Sequence, residues 1–152
     1  MKIEIQIDDS LDESEVIIRA KELNSEVAKI QKALSGMAAH KGEIVFEKNE
    51  TEYYFPVENI LFFETDGDKV FAHTVSDLYL VRKKLYELEE ILPAFFLRVS
   101  KSAILNTKKV YGLTKNLSAS SKVEFSGTGK VVYVSRNFYK TLKEKLGSDS
   151  KE

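Results

Sequence analysis

The strongest constraint in this chain is the stretch Phe95-Phe96-Leu97-Arg98-Val99-Ser100-Lys101-Ser102-Ala103-Ile104-Leu105-Asn106. Two apolar runs flank a polar knot, Ser100-Lys101-Ser102, with Arg98 just before it and Asn106 at the far end. The runs need burial and the knot needs water, so the segment predicts a β framework with its flanks inside and the knot held out. An ordinary hairpin turn accounts for the knot on these residues alone. The same residues also suit phosphate oxygens or base edges, because an ammonium beside two hydroxyls offers one charge-assisted donor and two adaptable ones.

Around this stretch the chain reads in two parts, an appendage over 1–42 and a β-rich domain over 43–152. Residues 2–8, Lys-Ile-Glu-Ile-Gln-Ile-Asp, alternate with period two and predict a half-buried strand. Ser10-Leu-Asp-Glu13 resembles a capping box opening a long helix. Along that helix Val16, Ala20, Leu23, Val27, Ile30, Leu34 and Met37 step by four and three, with Gly36 placed to end it. Such a seam docks on the chain's own sheet or pairs with a second copy. Asp8-Asp9 before a helix invites comparison with a phospho-receiver domain, but the chain then turns to β segments and leaves no room for the rest of that machinery. The two acids are read instead as charges stabilised at a helix start.

From Glu43 onward alternation dominates. Strands are predicted at Ile44–Lys48, Glu52–Val57, Ile60–Glu64 and Lys69–Val75, with Pro56 at an edge or bulge and Asp66-Gly67-Asp68 as a turn. A helix follows from about Val81 to Leu92, with Leu85, Leu88 and Leu92 on one face. Further strands are expected at Val110–Thr114, Val123–Ser126 and Lys130–Ser135, the last two joined by Gly127-Thr128-Gly129. A terminal helix from near Ser135 turns Phe138, Leu142 and Leu146 inward and sets Arg136, Lys140 and Lys143 on another face, with a frayed tail from Gly147.

Charge is distributed unevenly. Residues 1–94 hold 11 basic and 20 acidic side chains, a balance of −9, whereas residues 95–152 hold 12 and 4, a balance of +8. The overall charge of −1 conceals a basic third that suits a polyanion. With 43% hydrophobic and 31% charged residues the chain is expected to be globular, and with no cysteine it has neither disulfides nor thiolate metal sites, which fits a reducing cytoplasm. No signal peptide is recognised, and no apolar run approaches a membrane span.

Catalytic patterns are thin. His40 and His73 are the only histidines and share no metal-ligand spacing, and His73 alternates with Phe71 and Val75 as a satisfied or interfacial strand residue. Gly127-Thr-Gly129 lacks the later residues of a phosphate loop. No enzyme activity, cofactor, metal or small-molecule substrate is expected. Three predicted tips remain: Asp66-Gly-Asp-Lys69, Ser100-Lys101-Ser102 and Ser135-Arg136-Asn137. Each offers a cation with short polar neighbours on a rigid frame, as reading DNA with loops would require. Arg136 suits bidentate pairing with guanine, Lys101 suits base or phosphate, and Lys108, Lys109, Lys140 and Lys143 suit phosphates.

Four blocks carry a resemblance. Val57-Glu-Asn-Ile-Leu-Phe-Phe-Glu64, Leu85-x-x-Leu88-x-x-x-Leu92-Pro93, Phe96-Leu-Arg-Val-Ser-Lys-Ser-Ala-Ile-Leu-Asn106 and Val134-Ser-Arg-Asn-Phe-Tyr-x-x-Leu142 resemble, in order, the LytTR DNA-binding domain. The likeness runs from about 43 to 146. It implies a mainly β fold with helices (α+β overall): elongated antiparallel β-sheets plus short helices, here preceded by an N-terminal strand and long helix. It also implies loops inserted into successive major grooves of double-stranded DNA. Carried over by position, Lys101 and Arg136 stand where the family contacts bases, with Ser100, Ser102 and Asn137 beside them. Lys69 lies in a loop of varying length, and many members have histidine at the place of Ser100. Arg98 and Asn106 match positions read as structural. Short stand-alone members of this kind are bacterial transcription regulators, some controlled by a membrane protein encoded alongside. The implied protein is therefore a cytoplasmic regulator acting as a homodimer on repeated half-sites. The contrasting expectation is an interaction module whose basic C-terminal face meets an acidic protein or a membrane surface.

Overall fold

Ile60-Leu61-Phe62-Phe63 are four consecutive apolar residues, and successive side chains of a strand point to opposite faces. All four can leave water only if the strand is covered on both sides. The computed structural model describes residues 1–12, 14–38 and 44–149, and it buries all four. Ala103–Asn106 are buried throughout for the same reason.

The chain divides into two units, 1–34 and 35–152. In the first, residues 2–8 form no strand, against the alternation of their sequence, because they have no ladder partner among the described residues. Ile3, Ile5 and Ile7 are 80–91% exposed. The long helix predicted from Ser10 is also absent over 14–24, and Glu13 of its expected capping box lies outside the described residues. Helix α1 is Ser25–Ala38, opened by Asn24, whose Oδ1 accepts a hydrogen bond from the Val27 N–H at 3.0 Å. The predicted seam therefore loses its first three members, including Val16 in the β-branched run Val16-Ile17-Ile18, where χ1 crowding disfavours helix. Gly36 lies inside α1 rather than ending it.

The second unit carries ten strands among the described residues: β1 Phe46–Lys48, β2 Thr51–Tyr53, β3 Phe62–Asp66, β4 Lys69–His73, β5 Leu78–Val81, β6 Phe96–Ser100, β7 Ala103–Asn106, β8 Val110–Thr114, β9 Ser121–Phe125 and β10 Val131–Val134. Helix α2 is Leu85–Ile91 and α3 is Arg136–Asp149. The architecture is mainly antiparallel β, as expected. Seven strands form one sheet in the order β2-β1-β5-β4-β3-β7-β6, and β10-β9-β8 form another. Every pair is antiparallel.

Two cores lie on the two faces of the large sheet. Phe63, Ala72, Val70, Val81, Phe96 and Ile104 pack with Leu85 and Leu88 of α2. Phe62, Val99 and Leu105 pack against Val123, Val132 and Val134 of the small sheet and Leu142 of α3. Strands β3, β6 and β7 are thus the shared wall, held from both sides. Each buried side chain of this size contributes roughly 1.5–3 kcal/mol.

Local differences have local causes. The strand β5 was not anticipated, since Val81 ends a strand yet falls in step with Leu85, Leu88 and Leu92 of the helix that follows. Pro56 precedes a 3-10 turn, Val57–Asn59, instead of sitting in a strand. Among the described residues the large sheet shifts register only between Arg98 and Ser100, and Val99 there joins the second core. Helix α3 runs through Gly147 to Asp149 where a frayed tail was expected. The turn at Gly67-Asp68 forms as predicted, with Gly67 at φ +63° in the first of the two central positions.

Candidate nucleic-acid interface

Ser100-Lys101-Ser102 joins β6 to β7, and the register shift between Arg98 and Ser100 lies at its start. The turn is stitched from within. Ser100 Oγ accepts the Ser102 N–H at 3.1 Å and lies 3.3 Å from Ser102 Oγ. Both serine hydroxyls are thus already engaged in holding the turn. Arg98 clamps it from one side: its Nε donates to the Ser100 carbonyl and its Nη2 to the Lys101 carbonyl, each at 2.6 Å. The remaining fork reaches Glu89 on α2, Nη1 to Oε2 at 3.0 Å. Lys101 itself is exposed and has no carboxylate partner among the described residues.

Asn106 anchors the other end of β7. Fully buried, it donates from Nδ2 to the carbonyls of Ile60 at 3.0 Å and Glu58 at 3.3 Å, and its Oδ1 accepts the Lys108 N–H at 3.0 Å. The hairpin is therefore pinned to β3 at its base and clamped at its tip.

Two backbone hydrogen bonds bring the other predicted tips to the same place. The Thr65 N–H donates to the Ser102 carbonyl at 2.9 Å, which sets the β3–β4 turn beside Lys101. The Ser135 N–H donates to the Val99 carbonyl at 2.9 Å, which sets the start of α3 there as well. Arg136 and Asn137, in the first turn of α3, are exposed, and Arg136 has no carboxylate partner among the described residues. Three segments separated in sequence thus converge at one end of the shared wall.

They are not electrostatically equal. Lys69 stands opposite Asp66 across the hairpin, with Asp68 beside it, so that tip carries more acid than base. Burial, with Asp66 adding to it, pushes the nearby Glu64 carboxyl upward from its usual range. Lys101 and Arg136 face no such neighbours in sequence.

The remaining cations trail away from the tips. Lys140 and Lys143 are exposed on α3, four and seven residues after Arg136, and so lie along one face spanning about 10 Å. Lys108 follows β7 in a 3-10 turn, Thr107–Lys109, at the end of that strand away from Lys101. Its ammonium sits 4.4 Å from the ring centroid of Phe95, and it shares a groove of about 650 Å³ with Lys143. Lys109 parts company with this row and lines another pocket with Asn59, Thr74, Ser76 and Ser126. Lys115 was passed over in the sequence. It lies in the loop after β8, with its ammonium 5.2 Å from the ring centroid of Tyr139, one turn from Arg136. Only the pairing of Ser121 with Val134 reveals that this loop faces the tip end.

Of the two expectations for His73, satisfied or interfacial, the first does not hold for Nδ1. The ring stacks on Phe62 at 4.3 Å, and its buried Nδ1 has no hydrogen-bond partner. His40 lies outside the described residues. Among the described residues no group of three or more His, Asp or Glu side chains is arranged to hold a metal ion. Nor is any helix long and apolar enough to cross a membrane.

A family model described as the LytTr DNA-binding domain matches residues 50–147, about two thirds of the chain. The chain belongs to the LytTR DNA-binding domain family. LytTR is a family of DNA-binding domains and not of enzymes, and its match spans the three tips and the whole of the shared wall. Two relatives from Staphylococcus aureus, strains MRSA252 and NCTC 8325, are named as HTH-type transcriptional regulators. Each is 27% identical over 146 residues, covering 96% of this chain and 98% of the relative. A solved LytTr DNA-binding domain from Bacillus cereus superposes with a TM-score of 0.63 at 18% identity, covering 70% of this chain and 98% of that one. That last likeness is one of fold. In this LytTR chain no two helices follow one another among the described residues, so no helix-turn-helix pair is present there.

Proposed function

We propose that this LytTR chain is a transcription regulator that binds double-stranded DNA sequence-specifically, by inserting loops rather than a recognition helix into the major groove. The observation that carries this reading is the convergence of the tips through the Thr65–Ser102 and Ser135–Val99 backbone bonds, with Lys101 and Arg136 exposed and, among the described residues, unpaired by carboxylates. Unneutralised cations on fixed backbone are what base and phosphate contact require. Arg136 takes the base contact, since its planar fork matches O6 and N7 of guanine. Lys101 takes a second, with Ser100, Ser102 and Asn137 as short polar neighbours. Lys69 contributes least, because Asp66 and Asp68 repel phosphate from that tip. Lys140, Lys143, Lys108 and Lys109 position the domain through phosphates.

The regulator acts in the cytoplasm as a homodimer on repeated half-sites, the appendage over 1–42 serving assembly and the domain over 43–152 serving DNA. A membrane protein encoded alongside, acting as inhibitor, would meet the appendage. Selection of bound duplexes from a random pool tests the core of the reading. It should yield one enriched site that survives at physiological salt. Arg136→Ala should then lose about 1–3 kcal/mol on that site and relax preference at a single base pair. A pool with no enrichment, or normal discrimination by Arg136→Ala, would overturn the assignment.

A further inference from the structure

The first unit exposes Ile3, Ile5 and Ile7 by 80–91%, and Leu11, Val16, Ile17, Ile18 and Leu23 by 39–78%. Soluble chains leave isolated apolar residues in water but seldom a sequence this dense. Residues 2–7 also make no backbone hydrogen bond among the described residues. Asp8 closes the stretch, its Oδ1 accepting from Ser10 N–H at 2.9 Å and from Ser10 Oγ at 2.6 Å. A seven-residue alternating segment with a bare backbone and a bare apolar face lacks a partner strand.

The segment's own sequence identifies that partner. We infer that residues 2–8 pair antiparallel with the same residues of a second copy of this chain, about a two-fold axis through Ile5. In that register Lys2 stands opposite Asp8, Ile3 opposite Ile7, Glu4 opposite Gln6, and Ile5 opposite itself. Opposite charges meet at both ends and all six isoleucines share one face. The alternatives that keep the isoleucines on one face are worse. Sliding two residues one way sets Glu4 against Glu4, and sliding two the other way sets Glu4 against Asp8. Parallel in-register pairing sets Lys2, Glu4 and Asp8 each against its own kind. Of the antiparallel registers that keep the isoleucines on one face and pair five or more of these residues, this one alone is free of like charges. A lone two-stranded ribbon is marginal in water, and the exposed residues from Leu11 to Leu23 supply the apolar cover its isoleucine face needs.

This inference names the surface of the homodimer proposed above and rests on that dimer, not on how DNA is read. Its test needs no DNA. The chain has no cysteine, so each introduced thiol reports alone. Directly opposite residues lie within disulfide reach and diagonal ones do not, so under mild oxidation Ile5→Cys should link to itself at least about tenfold faster than Leu117→Cys. Leu117 is a fair control, being outside the proposed surface and 84% exposed against 82% for Ile5. Glu4→Cys and Gln6→Cys should link slowly alone and rapidly when mixed. Ile5→Cys linking no faster than the control, or a monomeric parent chain by analytical ultracentrifugation, overturns the inference. So does rapid self-linking of Glu4→Cys, which marks a parallel pair or the antiparallel register slid by two residues. Half-site binding measured on Ile3→Lys/Ile7→Lys keeps the two readings apart: it should persist while the dimer is lost.

Discussion

Asn106 carries no exposed surface, yet its three side-chain hydrogen bonds all go to main chain: two carbonyls before β3 and the Lys108 N–H. Removing the amide leaves buried carbonyls and an N–H without partners, so Asn106→Ala should destabilise by about 2–4 kcal/mol, read from the urea midpoint at unchanged slope. Asn106→Asp should be worse than its shape suggests, because a carboxylate oxygen would then face the Ile60 carbonyl. His73 makes the opposite case, a polar atom buried without a partner. Burial first, and the charge of Lys130 second, lower its pKa from 6.5 to about 4. Below pH 6.5 the unfolded chain binds a proton that the folded chain refuses until about pH 4, so stability is intact above 6.5 and falls as pH drops through that window. Because the ring is partly open to solvent, which screens part of the effect, the loss is about 1–2 kcal/mol. His73→Phe keeps a ring on Phe62 and removes the titration. Carboxylates titrate in the same range, so the check is the stability of His73→Phe less that of the parent, which should grow by that amount from pH 7 to pH 4. The sequence showed Asn106 as a polar residue closing an apolar run, but not its partners, which lie 46 and 48 residues away.

At the scale of elements, the hairpin β6–β7 was legible because two buried runs around a polar knot leave few other solutions. Its clamp was less so. Arg98 was recognisable as structural, but Glu89 joins it only through the packing of α2 on the sheet. The clamp has a consequence for DNA binding. Arg98→Ala frees two turn carbonyls and leaves Lys101 on a looser turn, so affinity for the selected duplex should fall about tenfold although the side chain proposed to contact DNA is intact. Arg98→Lys should rescue little, since an ammonium cannot span both carbonyls and Glu89 as the planar fork does. Binding isotherms of the two variants beside Lys101→Ala check this, and near-normal affinity in Arg98→Lys would refute the clamp. The N-terminal elements were misread for a complementary reason. Alternation over 2–8 marks a strand only when a neighbour completes the ladder, and a seam counted from Val16 to Met37 ignored the β-branched run within it. The strand β5 escaped because helical spacing and a strand's last inward residue coincide at Val81.

For the whole molecule, the excess of positive charge after residue 95 was visible in the sequence, but its division was not. Folding sorts these cations into a tip group, a row along α3 ending at Lys108, and outliers such as Lys109. Pairs of residues adjacent in sequence can therefore differ in role, and Lys108 and Lys109 are the clearest instance: one shares a groove with Lys143, the other lines a pocket with Ser76 and Ser126. A duplex seated on Lys101 and Arg136 and running along α3 meets Lys140 and Lys143 next, then Lys108. Each phosphate neutralised releases about one counterion, so Lys140→Ala and Lys143→Ala should each reduce the slope of log affinity against log salt by about one while leaving the preferred sequence unchanged. Lys109→Ala should reduce it by less, because its pocket shares no lining residue with the groove of Lys108 and Lys143. Equal slopes for Lys109→Ala and Lys143→Ala, measured by anisotropy across a salt series, would mean that the duplex wraps past the end of β7 onto the second pocket. In that case the path of DNA, rather than the assignment of the tips, would have to be redrawn.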